Sequence, residues 1–208
     1  MITRLSLFFL GVFLFASFVS FSYFVHKDFF TQLDFDTTVR LQDNVSARLD
    51  NSFSLLSDIG SFEILTVVLL ILLFLWRRIR GLLFLFAYVL FHLIELYGKF
   101  FVAHAPPPEF MLRTQRIFDF PQFHVRAENS YPSGHVGRTV FLSAILLFLI
   151  WRSKRSSAVK IVLASLVIGF DITMAVSRVY LGEHWTSDVI GGALLAGALA
   201  VGTYAIAK

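Results

Sequence analysis

The sequence predicts an all-α, polytopic membrane protein: one integral membrane domain over residues 1–208 with six transmembrane helices in a bundle. Composition is the first reason. Hydrophobic residues make up 57% of the chain, which holds 25 Phe and only 15% charged residues, against about a quarter charged in soluble domains. Segment length is the second. Several apolar runs approach the roughly 20 residues a helix needs to cross a bilayer, where backbone polar groups must be satisfied within the segment. Cysteine is absent, which excludes a disulfide framework and a thiolate metal site. The formal charge of +4 is spread beside apolar runs rather than gathered in a patch, so membrane lipids, not nucleic acid, are the expected surroundings.

Residues 5–25 form an apolar run longer than the roughly 7 to 15 residues of a signal-peptide core, and they are read as the first span. In residues 26–60, Val39, Leu41, Val45, Leu49 and Phe53 recur at mixed helical spacing. That pattern predicts a short amphipathic helix within an outer loop, lying at the membrane surface, with a plain solvated linker as the competing reading. Residues 61–76, 81–103, 135–151, 157–178 and 185–207 supply the other spans, and residues 104–134 an outer loop above the site. Arg4, Arg77, Arg78, Arg80, Arg152, Lys154, Arg155, Lys160 and Lys208 all fall at one set of span ends. By the positive-inside rule those ends and both termini face the cytoplasm, the intervening loops face outward, and the cell membrane is the expected location.

Ionisable side chains are costly in a bilayer, so their clustering is a functional signal. Lys99, Ser133, His135, Arg138, Arg178, His184 and Asp188 all fall near the outer ends of spans three to six. Ser133 and Gly134 precede a helix, whose free N–H groups and dipole suit an anion, and glycine permits close approach of the ligand. Lys99, Arg138 and Arg178 add cationic donors, and an arginine fork matches phosphate oxygens. His184 and Asp188 stand four apart, so a helical turn lets the carboxylate hold one ring nitrogen and leave the other nucleophilic. His135 can serve a leaving oxygen as general acid.

"YPSGH" at 131–135 and "SRVYLGEHWTSD" at 177–188 resemble two of the three motifs of the type 2 phosphatidic acid phosphatase (PAP2) superfamily, PSGH and SRx5Hx3D. The resemblance covers roughly residues 55–207. It implies a membrane lipid phosphatase that hydrolyses a lipid phosphate or diphosphate without a metal or other cofactor. It further implies that His184 attacks phosphorus, Asp188 orients it, His135 protonates the leaving group, and Lys99, Ser133, Gly134 and Arg178 hold the oxygens. The remaining motif, Kx6RP, which is the family's first, is incomplete: after Lys99, Pro106 stands where the pattern has arginine, followed by Pro107. Arg138, one turn beyond His135, is the expected substitute, with Arg113 and Arg116 as weaker candidates; a structural ion pair of Arg138 with Asp171 or another span is the competing reading. The lost arginine leaves open a chain that binds or carries lipid phosphate without turnover.

Other features carry weaker expectations. His92 and Glu95 predict an interhelical hydrogen-bonded pair. Tyr131 and Trp185 suggest an aromatic belt, and residues 191–202, "GGALLAGALAVG", suggest small-residue packing within the chain. Glu183 either tunes its neighbour His184 or faces water. His104 has no assigned role, and His135 with His184 lacks a third metal ligand by spacing.

Overall fold

Long runs of Leu, Phe, Ile and Val without proline propagate as helices, and polar caps end them. The structure is a computed structural model that describes residues 3–76, 79–115 and 128–207. Eight α-helices occur among the described residues: α1 (Arg4–His26), α2 (Thr31–Asn44), α3 (Asp50–Ile59), α4 (Phe62–Trp76), α5 (Gly81–Phe101), α6 (Gly134–Arg152), α7 (Ser157–Tyr180) and α8 (Thr186–Ala207). Helix starts follow capping chemistry. Thr3 accepts the Ser6 N–H at 3.1 Å ahead of α1, and Ser156 that of Val159 at 3.5 Å ahead of α7.

The second span departs from expectation. Helix α4 has 15 residues, too few to cross alone. The segment Ala47–Ile59 continues into it through a 52° bend at Gly60 and Ser61, so among the described residues five helices are long and apolar enough by themselves and six if the bent pair counts as one. Residues 26–60 hold two helices, α2 and α3, which pack on α7 and, for α2, also on α8. Their buried residues are polar: Asp34 and Thr38 on α2, Ser54 and Ser57 on α3. Of the predicted topology signals, Arg77, Arg78 and Lys208 lie outside the described residues, as does Arg116.

Helix α8 is the axis of the bundle, flanked by α1, α6 and α5. Phe84, Phe91, Phe141, Leu69, Leu195 and Tyr131 fill the core with almost no exposure. Tyr131 is therefore not a belt residue; its hydroxyl lies 2.8 Å from Ser22 Oγ and its ring stacks on Phe18. Trp185 is half-buried and donates its indole N–H to Ala105 O at 2.8 Å. Helices α1 and α7 leave Phe9, Phe13, Leu166 and Ile172 exposed, as helices facing lipid do.

Small residues let the helices approach closely. A Cβ on Gly11 would meet Gly202 Cα at 3.0 Å, and one on Gly192 would run into the carbonyl oxygen of Ser133. The second contact matters for the site, because α8 thereby abuts the turn that starts α6. The Ser133 N–H donates to Asp188 O at 2.9 Å and bolts the two together. Gly192→Ala is expected to cost about 1–3 kcal/mol through overpacking against rigid backbone. Gly169→Ala, with nothing within 4 Å of the added carbon, is expected to stay within about 0.5 kcal/mol; thermal unfolding midpoints in detergent compare the two.

Candidate active site

The antiparallel run of α5 to α8 brings the C-terminal ends of α5 and α7 and the N-terminal ends of α6 and α8 to one level. Lys99, Ser133, His135, Arg178, His184 and Asp188 lie there, as the sequence predicts. Ser133 is the cap residue of α6, yet its side chain accepts no capping bond. It is fully buried and its Oγ finds no partner among the described residues. The opening N–H groups of α6 have no carbonyl a turn earlier to reach. A buried hydroxyl and a helix start thus present donors to the same space.

His184 sits in the turn between α7 and α8. Gly182, with φ +68°, makes that turn, and a Cβ there would strike the Met111 carbonyl. Gln42 Nε2 ties the same region down by donating to Met111 O at 2.7 Å and Tyr180 O at 2.8 Å. His184 Nδ1 lies 3.2 Å from Asp188 Oδ2, which also accepts the Trp185 N–H at 2.9 Å. With Nδ1 as the donor, Nε2 carries the free lone pair. The rings of His135 and His184 meet edge-on, 6.5 Å apart between centroids and inclined at 61°. Two contacts of about 3 Å each, one to phosphorus and one to a leaving oxygen, span such a gap.

Arg178 has no exposed surface. Its guanidinium donates to Ser57 Oγ, Glu183, Phe53 O (3.2 Å) and Ser177 Oγ (3.2 and 3.3 Å). Glu183 also accepts from Thr114 Oγ1 at 2.5 Å, so it faces the arginine rather than water. Arg138 does not pair with Asp171, which accepts instead from Ser143 Oγ at 2.8 Å. Its partner is Glu95 on α5, at 3.6 Å, and Lys99 meets the same carboxylate at 3.8 Å. His92 Nδ1 is 3.0 Å from Glu95, so that pair forms within α5. The Arg138 guanidinium turns back to the start of α6: a Cβ on Gly134 would lie 2.7 Å from its Nη1. Arg113 is engaged elsewhere, donating to the Tyr180 hydroxyl at 3.1 Å.

Residues 80–208 match the PAP2 superfamily. The chain belongs to the PAP2 superfamily. Over 74 residues it is 43% identical to YbjG of Escherichia coli (strain K12), which is named provisionally as an undecaprenyl-diphosphatase; the match covers 36% of this chain and 32% of that protein. The structure is similar to that of a PAP2-type phosphatidylglycerolphosphate phosphatase from Bacillus subtilis, with a TM-score of 0.75, 21% identity and coverage of 94% of both chains. It is also similar to Aquifex aeolicus LpxE, with a TM-score of 0.61 and 19% identity over 85% of this chain and 96% of that one. At these identities the two structures speak for the PAP2 fold.

Sequence reasoning missed Asp34, Ser57 and the clamping role of Glu95. The signal lay in polar pairs at helical spacing, Asp34 with Thr38 and Ser54 with Ser57, which mark a helix face turned towards buried polar partners. Glu95→Ala leaves Lys99 and Arg138 without their shared carboxylate. Breaking a buried ion pair typically costs about 3–5 kcal/mol, and a lowered unfolding midpoint in detergent is the expected result; Glu95→Gln, which keeps a hydrogen-bond acceptor, loses less.

Proposed function

We propose that this chain is a membrane lipid phosphatase that hydrolyses a lipid phosphate or diphosphate through a phosphohistidine intermediate. The observation that carries the reading is the neighbouring pair His184 and His135, with Asp188 on the first and, two residues before the second, Ser133, whose Oγ has no partner among the described residues. His184 Nε2 attacks phosphorus while the bond to the leaving oxygen breaks and His135 gives that oxygen its proton. Water then attacks phosphorus, His135 takes the water's proton, and the P–N bond breaks to release phosphate. Lys99, Arg178, Arg138, Ser133 Oγ and the α6 N–H groups stabilise the charge that builds on the oxygens.

The apolar surroundings of the site favour a substrate with its tail in lipid. Polyprenyl diphosphates, phosphatidylglycerophosphate and phosphatidate are the classes to test, the first two being the substrates in the names of relatives. Arg4, Arg80, Arg152, Lys154, Arg155 and Lys160 belong to the ends of the bundle away from the site. That asymmetry supports cytoplasmic termini and a site on the outer face of the cell membrane.

Phosphate release from detergent-purified protein across that panel tests the reading. His184→Ala is expected to abolish turnover, His135→Ala to lower kcat by roughly 10²–10⁴-fold, and Arg138→Lys, which loses the fork, by about 10²-fold. Turnover that survives His184→Ala would sink the mechanism, and an unimpaired Arg138→Lys would remove Arg138 from it.

A further inference from the structure

We infer that His104 and Asp34 form a positioning relay behind Asp188, acting on the His184 nucleophile through that carboxylate. The inference rests on the reaction proposed above. It starts from an asymmetry within Asp188, a residue with no exposed surface. Its Oδ2 accepts from His184 and Trp185, whereas its Oδ1 is buried without a hydrogen-bond partner among the described residues. Leaving a charged acceptor atom unmet inside a protein is costly. The candidate is His104, whose Nε2 stands 3.6 Å from that oxygen, just beyond hydrogen-bond length.

His104 is only 7% exposed, and its backbone is fixed on both sides. Its N–H donates to Asn129 Oδ1 at 2.9 Å, and its carbonyl accepts from Ser130 N at 3.0 Å and Ser130 Oγ at 3.2 Å. The same Nε2 lies 3.1 Å from Ser187 Oγ and 3.7 Å from Asp34 Oδ2. Asp34 in turn accepts the Ser187 N–H at 2.8 Å and hydroxyl at 2.6 Å. Two buried carboxylates therefore approach one imidazole edge. Like charges so placed disfavour each other's ionised form, and a donor between them relieves this. Burial already pushes the Asp34 carboxyl above its usual range, against the Ser187 bonds that pull it down.

The functional consequence follows through Asp188. His184 attacks well only when Asp188 Oδ2 is aimed at Nδ1–H, and the imidazole edge 3.6 Å from Oδ1 holds the carboxylate in that orientation. His104 lies two residues before Pro106, where the family pattern has arginine. In this chain the first-motif loop supports the nucleophile from behind instead of delivering a guanidinium there to the phosphate. Neither His104 nor Asp34 touches a phosphate oxygen in this arrangement, so binding and turnover separate.

The test is kcat, KM and the pH–rate profile of purified full-length protein on a lipid phosphate that it hydrolyses, for His104→Gln, Asp34→Asn and the double variant. The groups facing His104 are Asp34 from α2, Ser187 and Asp188 from α8, and through Asp188 the His184 turn. His104→Gln is expected to lower kcat by about 10–100-fold, the range for a lost supporting partner, with KM within about twofold by the same separation of turnover from binding. The acid limb of kcat moves to higher pH, because the two carboxylates lose the donor between them. Asp34→Asn moves that limb to lower pH by removing a like charge, and the double variant recovers both kcat and the limb towards wild type. A packing role alone predicts no such rescue. Wild-type kinetics in His104→Gln, or a double variant no better than the single, overturns the relay. If His104→Gln does not fold, an unmoved acid limb in Asp34→Asn does so. Protein that turns over no lipid phosphate overturns the reaction and the relay together, whereas active protein silenced by His184→Ala keeps the reaction standing whatever His104 does.

Discussion

A guanidinium with no exposed surface governs one end of this bundle. Arg178 cannot be buried in an apolar setting unless its five N–H groups find acceptors and its charge a counterion. The acceptors come from three places: Ser177 one residue back, Phe53 O and Ser57 on α3, and Glu183 from the following turn. Two features of the fold follow. Helix α3 has to lie over the end of α7, which bends the second span at Gly60. The turn after α7 has to bring Glu183 back onto the arginine, and Gly182 at φ +68° permits that reversal. The reversal delivers His184 opposite His135.

The same economy operates on the other side of the site. The start of α6 is pressed onto α8 by Gly192, where any Cβ would displace the Ser133 carbonyl. Ser133 Oγ there is buried without a partner among the described residues, a state that costs stability. Such a cost is tolerable where a ligand oxygen completes the bond, and unfilled polar groups concentrate at functional sites for that reason.

Much of this was legible in the sequence, because motif spacing and hydropathy report local geometry. The spacing of four from His184 to Asp188 fixes a shared helical face, and alternation of apolar runs with basic loops fixes the level at which the polar residues meet. The unpredicted part depends on contacts across long stretches of chain. Residues 26–60 read as a surface segment because Val39, Leu41 and Phe53 suggest a face for lipid. The buried face carries Asp34, Thr38, Ser54 and Ser57, because that face packs on α7 and α8. Tyr131 was misread for a related reason: a tyrosine beside a span suits a belt, but Ser22 on a helix more than a hundred residues earlier completes its hydrogen bond. Arg138 illustrates the limit from the other direction. Its side was predictable, yet the choice of Glu95 over Asp171 depends on how α5 and α7 each meet α6.

The counterions also bear on catalysis. Lys99 and Arg138 share Glu95, and Arg178 holds Glu183. On the proposed chemistry, an incoming phosphate therefore exchanges partners with carboxylates already in place instead of meeting three bare cations. Ground-state binding is weakened by the exchange. Charge that develops on the equatorial oxygens during transfer gains more than the substrate does, because the cations are held in position beforehand and need little reorganisation. The same carboxylates can reclaim the cations when inorganic phosphate forms, which opposes product retention. The buried acids of this site thus act in the direction that favours turnover over tight binding, even though each one lowers the field that the substrate first encounters.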